Sequence, residues 1–450
     1  MPGFSRQASL MRPLPRKGIP PPEEMFCEDS GMTHDVDSAD LSGGGIGLRL
    51  PRRPDLGAVF PIAHSARIID AALMGLIIHR LSVPFLPGSF PAAQTAVIGL
   101  LLISLFRRPP RSLRAVGWYP FLCLGLLGFA VVISAVNGLD LERRAGNIGL
   151  LMLMAAFLAS GRIDVASAIK GIGVALTLNA ALFAAGVAPD AYQGALTGYL
   201  QDKNVAGLYY GVAALLLAAT VQRRWLRIAV LAAAGLAVVA TDSRTSMAAY
   251  ACGILWLVVT PRLGLAFRAL TGVGIAALFV WAEANLSTAG VYGVERAGSD
   301  ALRERILQAS FDRVALAPWS GGGLGTATAD VDGIAWFFHN SYLALLAEGG
   351  VVLLVGVLAI YAVAGFGLLP RRPETFARHA VGAATVVVLL CATQLGEVFF
   401  APMSFVVVGA GLALLAERRP EADADALPGA EFPGTALPGT EIPLTEHPRS

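Results

Sequence analysis

Between residues 64 and 416, apolar runs long enough to cross ~30 Å of hydrocarbon alternate with short polar breaks. The runs fall at 64–83, 92–106, 117–136, 146–160, 164–187, 204–221, 226–241, 246–260, 264–283, 341–366, 379–396 and 401–416. This pattern predicts an all-α, polytopic transmembrane helical bundle of about 12 spans. The first run is impure, with His64, Arg67 and Asp70 in its opening turns and His79 and Arg80 near its far end. One interruption is long: residues 284–340 separate the ninth run from the tenth. A connection of that length is functional or disordered. Its stretch from Asp300 to Leu316 interleaves Leu302, Ile306 and Phe311 with charges, then passes through Pro318 into "PWSGGGLG". That predicts one or two short helices at the membrane surface.

The flanks carry no such runs. Residues 1–57 are polar and rich in Pro, Gly and Ser, without the charged, apolar and cleavage regions of a signal peptide. They are expected to be a disordered cytoplasmic tail, and Met32 would serve equally well as a start. Residues 417–450 form a second tail, in which Pro428, Pro433, Pro438 and Pro443 recur every five residues and favour extended chain. Residues 58–416 are then the membrane domain.

Charge gives the expected orientation. With the N-terminal tail inside, Arg107, Arg108, Arg111, Arg114, Arg162, Arg223, Arg224, Arg227, Arg262, Arg371, Arg372, Arg378, Arg418 and Arg419 share the cytoplasmic side. The outer side has Arg143, Arg144, Lys203 and Arg244 in its short loops. Both termini are then cytoplasmic, as an even number of spans requires, and the expected location is the cytoplasmic (inner) membrane.

Composition agrees: 55% of residues are hydrophobic and 15% charged, against roughly a quarter charged in soluble domains. A net charge of +2 carries no nucleic-acid signature. Cys27 lies in a polar tail and Cys123, Cys252 and Cys391 in apolar runs, so neither a disulfide nor a metal-binding pair is expected. The six histidines show no ligand spacing. No metal and no cofactor are expected.

Ionisable groups on the outer side are the candidate chemistry. His339 ends the long loop at the mouth of the tenth run, and histidine transfers protons near neutral pH. The alternative is an interfacial histidine satisfied by solvent or a helix end. Asn340 and Ser341 look like an N-cap that would hold the ring there. Arg244 lies in "TDSRTS", Lys203 precedes the sixth run, and Arg303 and Arg305 lie in the long loop. Such cations suit a diphosphate, although Arg244 has Asp242 or Asp202 as a structural partner instead. Gly321, Gly322, Gly323 and Gly325 either offer N–H groups to phosphate or form a flexible turn. Glu348 and Glu397 sit near span ends, and Glu348, nine residues after His339, reads better as a helix-packing partner than as a base.

Four segments resemble, in order, the O-antigen ligase and O-antigen polymerase family. They are "TGYLQDKNVAGLYYG", which includes Asn204, "TDSRTSMAAYACG", "RERILQASFDRVALAPWSGGGLG" and "FHNSYLALLAEGGVVLLVG". The resemblance covers about residues 117–415 and is best between 198 and 350. It implies a metal-independent integral-membrane glycosyltransferase with a GT-C-like fold. Such an enzyme moves a glycan from a polyprenyl diphosphate donor to an acceptor hydroxyl at the outer face of the cytoplasmic membrane. In surface-polysaccharide biosynthesis the acceptor is a glycan or is itself lipid-linked. By resemblance, His339 deprotonates or orients that hydroxyl, and Arg244 holds the diphosphate together with Arg303 or Arg305. Leu307 stands near where relatives often carry an aromatic residue. Two other readings are a transporter or flippase for an anion or lipid-linked sugar, which would favour charges near the midplane and repeats, and a scaffold for envelope-assembly proteins.

Overall fold

A computed structural model describes residues 67–81, 91–286, 293–368 and 374–416, with side chains of the long loop described from residue 301. The expected tails, 1–57 and 417–450, lie outside the described residues. The described chain is mostly helical. Its helices are α1 (Ile68–Ile77), α2 (Ala92–Leu105), α3 (Trp118–Val136), α4 (Glu142–Ser160), α5 (Val165–Ala184) and α6 (Lys203–Ala218). Then follow α7 (Arg224–Ala240), α8 (Arg244–Val259), α9 (Leu265–Leu286), α10 (Gly293–Ala315), α11 (Ser341–Ile360), α12 (Phe376–Cys391) and α13 (Pro402–Ala416).

Each of the twelve apolar runs contains a helix, and α10 is the extra one, inside the long loop. Among the described residues, four helical stretches are long and apolar enough to cross a membrane: Leu113–Val136, Val165–Ala184, Leu265–Asn285 and Ser341–Gly365. Five others are apolar but hold 10–17 residues. A 16-residue helix such as α6 rises only ~24 Å, less than the ~30 Å hydrocarbon core. Length and composition therefore mark four crossings, where the hydropathy pattern alone suggests about twelve.

Small residues set the helix spacing, as close packing between apolar helices requires. A Cβ on Gly171 of α5 would overlap the Ala71 carbonyl of α1, and one on Gly411 of α13 would overlap the Ala364 carbonyl. At the Arg107 end, the charges of the impure first run are absorbed by packing. Asp70 is fully buried, accepts from Arg107 Nη1 at 2.6 Å, and takes the Asp164 N–H at 2.9 Å. Arg67 caps the neighbouring turn by donating to the Gly161 and Arg162 carbonyls.

The long loop is more ordered than one or two surface helices. After α10 it forms an antiparallel hairpin, β1 (Thr328–Val331) and β2 (Ile334–Phe337), with Val331 opposite Ile334. Asp332 and Gly333 make its turn at φ of 59° and 78°, the doubly left-handed geometry that Asp-Gly favours.

Candidate functional site

Local structure places most of the candidate polar groups at one end of the bundle. Asp202 caps α6, its carboxylate accepting from Asn204 N at 2.8 Å and Val205 N at 3.0 Å, and this sets Lys203 in the first turn. Ser243 caps α8 and donates its hydroxyl to Asn204 Oδ1 at 2.9 Å, which ties the starts of α6 and α8 together. Arg244 follows at the first position of α8 and is half-buried. Asn340 caps α11, accepting from Tyr342 N at 2.9 Å and Leu343 N at 3.1 Å. His339 is therefore held one residue ahead of a helix N-terminus, half-buried.

Three elements meet around that imidazole. Burial lowers the His339 pKa from its ordinary value, the Arg303 charge lowers it further, and the Asp202 carboxylate partly opposes both. The α10 arginine and the α6 cap thus share the field of the histidine. Tyr192 joins them from the connection before α6. Burial and then Asp202 push its phenol above the ordinary value, while Arg303 and Arg80 pull it back. The Lys203 ammonium stands 5.8 Å from the Tyr192 ring centroid and 3.3 Å from Asp242. His79 also reaches this end, edge-on to Tyr199 at 6.3 Å, beside the Arg80 N–H bond to the Tyr199 carbonyl.

The two loop arginines separate. Arg303 is exposed and acts on His339 and Tyr192. Arg305 instead pairs with Asp332 at the hairpin tip. It fastens the hairpin to α10 and is committed to a carboxylate, which sets it apart from Arg303.

The N–H groups of the glycine run turn onto the protein. The Gly322 N–H donates to the Ala347 carbonyl at 2.7 Å, Gly323 N–H to the Glu348 carbonyl at 2.9 Å, and Leu324 N–H to Ser134 Oγ at 2.7 Å. Gly325 N–H donates to the Glu348 carboxylate at 2.9 Å. These four successive N–H groups are taken up within the protein, and the run is a loop docked on α11. It fits because α11 breaks at Gly350, at φ 61° and ψ −157°, which lets Val351 N–H reach the Trp319 carbonyl at 3.2 Å.

Behind this loop, Arg144 of α4 bridges two acids. Its Nη2 lies 2.8 Å from Glu348 and its Nη1 2.6 Å from Glu397. Glu348 is fully buried and acts as a packing partner, tying α4, α11 and the glycine loop together. The sequence reading missed this use of Arg144, although all three charges stood near span ends. It also missed Tyr192, which belongs to no recognisable motif.

Beside His339, a base candidate, acts the Arg303 cation, a pairing suited to taking a proton from a hydroxyl while holding a negatively charged leaving group. Among the described residues no cluster of three His, Cys, Asp or Glu side chains is arranged to hold a metal ion. No curated protein matches the chain. Residues 228–358 match the family model described as O-antigen ligase, a stretch that takes in Arg244, Arg303, the docked loop and His339 and stops short of Asp202 and Lys203. Over that stretch, under a third of the chain, the protein is similar to the O-antigen ligase family.

Proposed function

We propose that the protein is an integral-membrane glycosyltransferase. It transfers or polymerises oligosaccharide units from a polyprenyl diphosphate donor onto an acceptor hydroxyl at the outer face of the cytoplasmic membrane. The family match supports a role as a membrane glycan ligase or polymerase. The observation that supports the finer reading is the shared field of His339, Arg303 and the Asp202 cap of α6.

In this reading the neutral His339 imidazole accepts the acceptor hydroxyl proton as its oxygen attacks the anomeric carbon. The bond from that carbon to the diphosphate breaks, and the polyprenyl diphosphate leaves with the electron pair. Arg303, Lys203 and Arg244 stabilise the departing charge, which counts for more at the dry edge of a membrane than in water. Asn204 and Asn340 act through structure, as the partner and the cap that hold Arg244 and His339 in place. The twelve-span topology, with both termini cytoplasmic, belongs to the same proposal and puts His339 outside.

The test is the length profile of lipid-linked and surface glycan in a strain lacking this protein, complemented at equal membrane levels. Wild type should restore long or transferred glycan, while His339→Ala and Arg303→Ala leave short lipid-linked units accumulating. Whether long chains or acceptor-attached chains are missing separates polymerase from ligase. A wild-type profile from His339→Ala overturns the site.

A further inference from the structure

Charge gives out along one stretch of the long loop. The 16 residues from Val314 to Ala329 carry none, although Arg313 precedes them and Asp330 follows. The start of this stretch faces outward, and its exposed side chains up to Trp319 are all apolar: Ala315, Leu316, Pro318 and Trp319. Leu316 is 85% exposed and Trp319 73%. The glycine run that follows packs onto α11 and α3. A Cβ on Gly321 would overlap the α11 backbone at Glu348 and Gly349, and one on Gly323 would overlap the backbone of Ser134. At the end of α3, Asn137 Nδ2 donates to the Gly322 carbonyl at 3.2 Å.

The depth of the stretch follows from α11, whose Val351 N–H reaches the Trp319 carbonyl. Val351 stands 16 residues before Gly367, where a φ of 62° and the Leu368 N–H bond to the Ala362 carbonyl stop the helix. Arg378 donates to the Gly367 carbonyl at 2.7 Å, and cations mark the polar boundary of a membrane. Sixteen residues rise at most ~24 Å, short of the ~30 Å hydrocarbon core, and any tilt lowers that figure. Val351 therefore lies at hydrocarbon depth, and it and Val355 face outward on the Ser341–Gly365 span. Val132 and Val136 face outward on the α3 span. Backbone at that depth must find its hydrogen bonds within the protein. Leu316 N–H donates to the Asp312 carbonyl at 3.2 Å, Ala317 N–H to Val314 at 3.1 Å and Gly321 N–H to Pro318 at 2.8 Å. The four N–H groups from Gly322 to Gly325 are also taken up, and Pro318 has none to satisfy.

We infer that residues 315–325 are a re-entrant segment that dips into one leaflet, with Leu316 and Trp319 against lipid acyl chains. Lipid is the occupant because the patch lies at hydrocarbon depth and continues the outward faces of two spans, α3 and α11. The segment pins the end of α10, the helix that carries Arg303, at a fixed depth. The inference needs the membrane setting but no step of glycan transfer, so the two readings fail separately.

The test uses full-length Cys27→Ser protein in phospholipid nanodiscs, with a nitroxide label on a cysteine placed at Leu316 or at Trp319. Power saturation reads collision of the label with oxygen, which concentrates in hydrocarbon, and with a nickel chelate, which stays in water. Two references bracket the scale. Val355→Cys lies on the outward face of α11, and Asp332→Cys lies on the exposed hairpin turn. Leu316→Cys and Trp319→Cys should both match Val355→Cys, with oxygen collision high and nickel collision low. Nickel collision as frequent as at Asp332→Cys would put the segment in water and overturn the inference. Shielding from both reagents would also overturn it, since a second copy or another protein would then cover the patch. A thermal melt of each labelled variant identifies any that fails to fold, and the two label sites stand independently.

Discussion

At the scale of the residue, the proposal makes His339 the base. Its lowered pKa keeps it neutral at pH 7, the form that accepts a proton, and the acid limb of activity falls below the ordinary histidine range. Arg303→Ala removes one cause of the lowering, so the acid limb should move to higher pH as overall transfer drops. Asp202→Asn removes the only opposing charge among those acting on the ring, and should move the limb to lower pH. Profiles of kcat/KM against pH in isolated membranes read both, and two unmoved limbs would sink the electrostatic account. Arg305→Ala breaks an exposed ion pair screened by water and should leave transfer near wild type. A loss as deep as that of Arg303→Ala would put Arg305 in the site. The histidine and the arginines were legible because they stand in motifs. Tyr192 was not, because its role depends on where the connection after α5 folds back.

Elements hold this site through a glycine contact and a charge fork. A Cβ on Gly350 would overlap the Trp319 carbonyl at a φ of 61°, so Gly350→Ala should undock the loop and destabilise the protein by roughly 2 kcal/mol or more. Arg144→Ala strands Glu348 as a buried unpaired charge, and roughly 3–5 kcal/mol is expected to be lost. Arg144→Lys should recover little, since one ammonium cannot span two carboxylates that a guanidinium fork holds separately. Thermal unfolding of purified variants checks all three, and a melt of Arg144→Ala equal to wild type would refute the bridge. Caps at Asp202, Ser243 and Asn340 could be anticipated from residue type. The hairpin was also signalled, by Asp332-Gly333 between alternating residues, but polar alternation in a long loop is easily read as irregular chain. The docking of the glycine run was hidden, because a run of glycines states what the backbone can do and not which partner it meets.

For the whole molecule, hydrophobic runs located every described helix except α10, since burial in lipid or protein demands the same apolar composition. Whether a helix crosses depends also on length, and there the short helices α1, α2, α6, α12 and α13 part company with the long ones. The proposed orientation has a direct test in intact cells. Cysteine placed at Asp332 on the hairpin turn should react with a membrane-impermeant maleimide, while cysteine at Arg108 should react only after lysis. The test is run on a Cys27→Ser background, since Cys27 lies in the tail, while the native Cys123, Cys252 and Cys391 are buried and give little background. Labelling of Arg108→Cys in intact cells would reverse the orientation.

The buried Asp70 has a consequence for how the chain is made. Its guanidinium partner, Arg107, is synthesised 37 residues later, and the Asp164 N–H arrives 94 residues later, with α5 itself. Before Arg107 arrives, the cation beside Asp70 among the described residues is Arg67, 3.9 Å away and three residues earlier in the chain. The glycine notch that receives α1 also lies on α5, at Gly171. Made well before α5, α1 therefore reaches its final seat only once α5 has arrived.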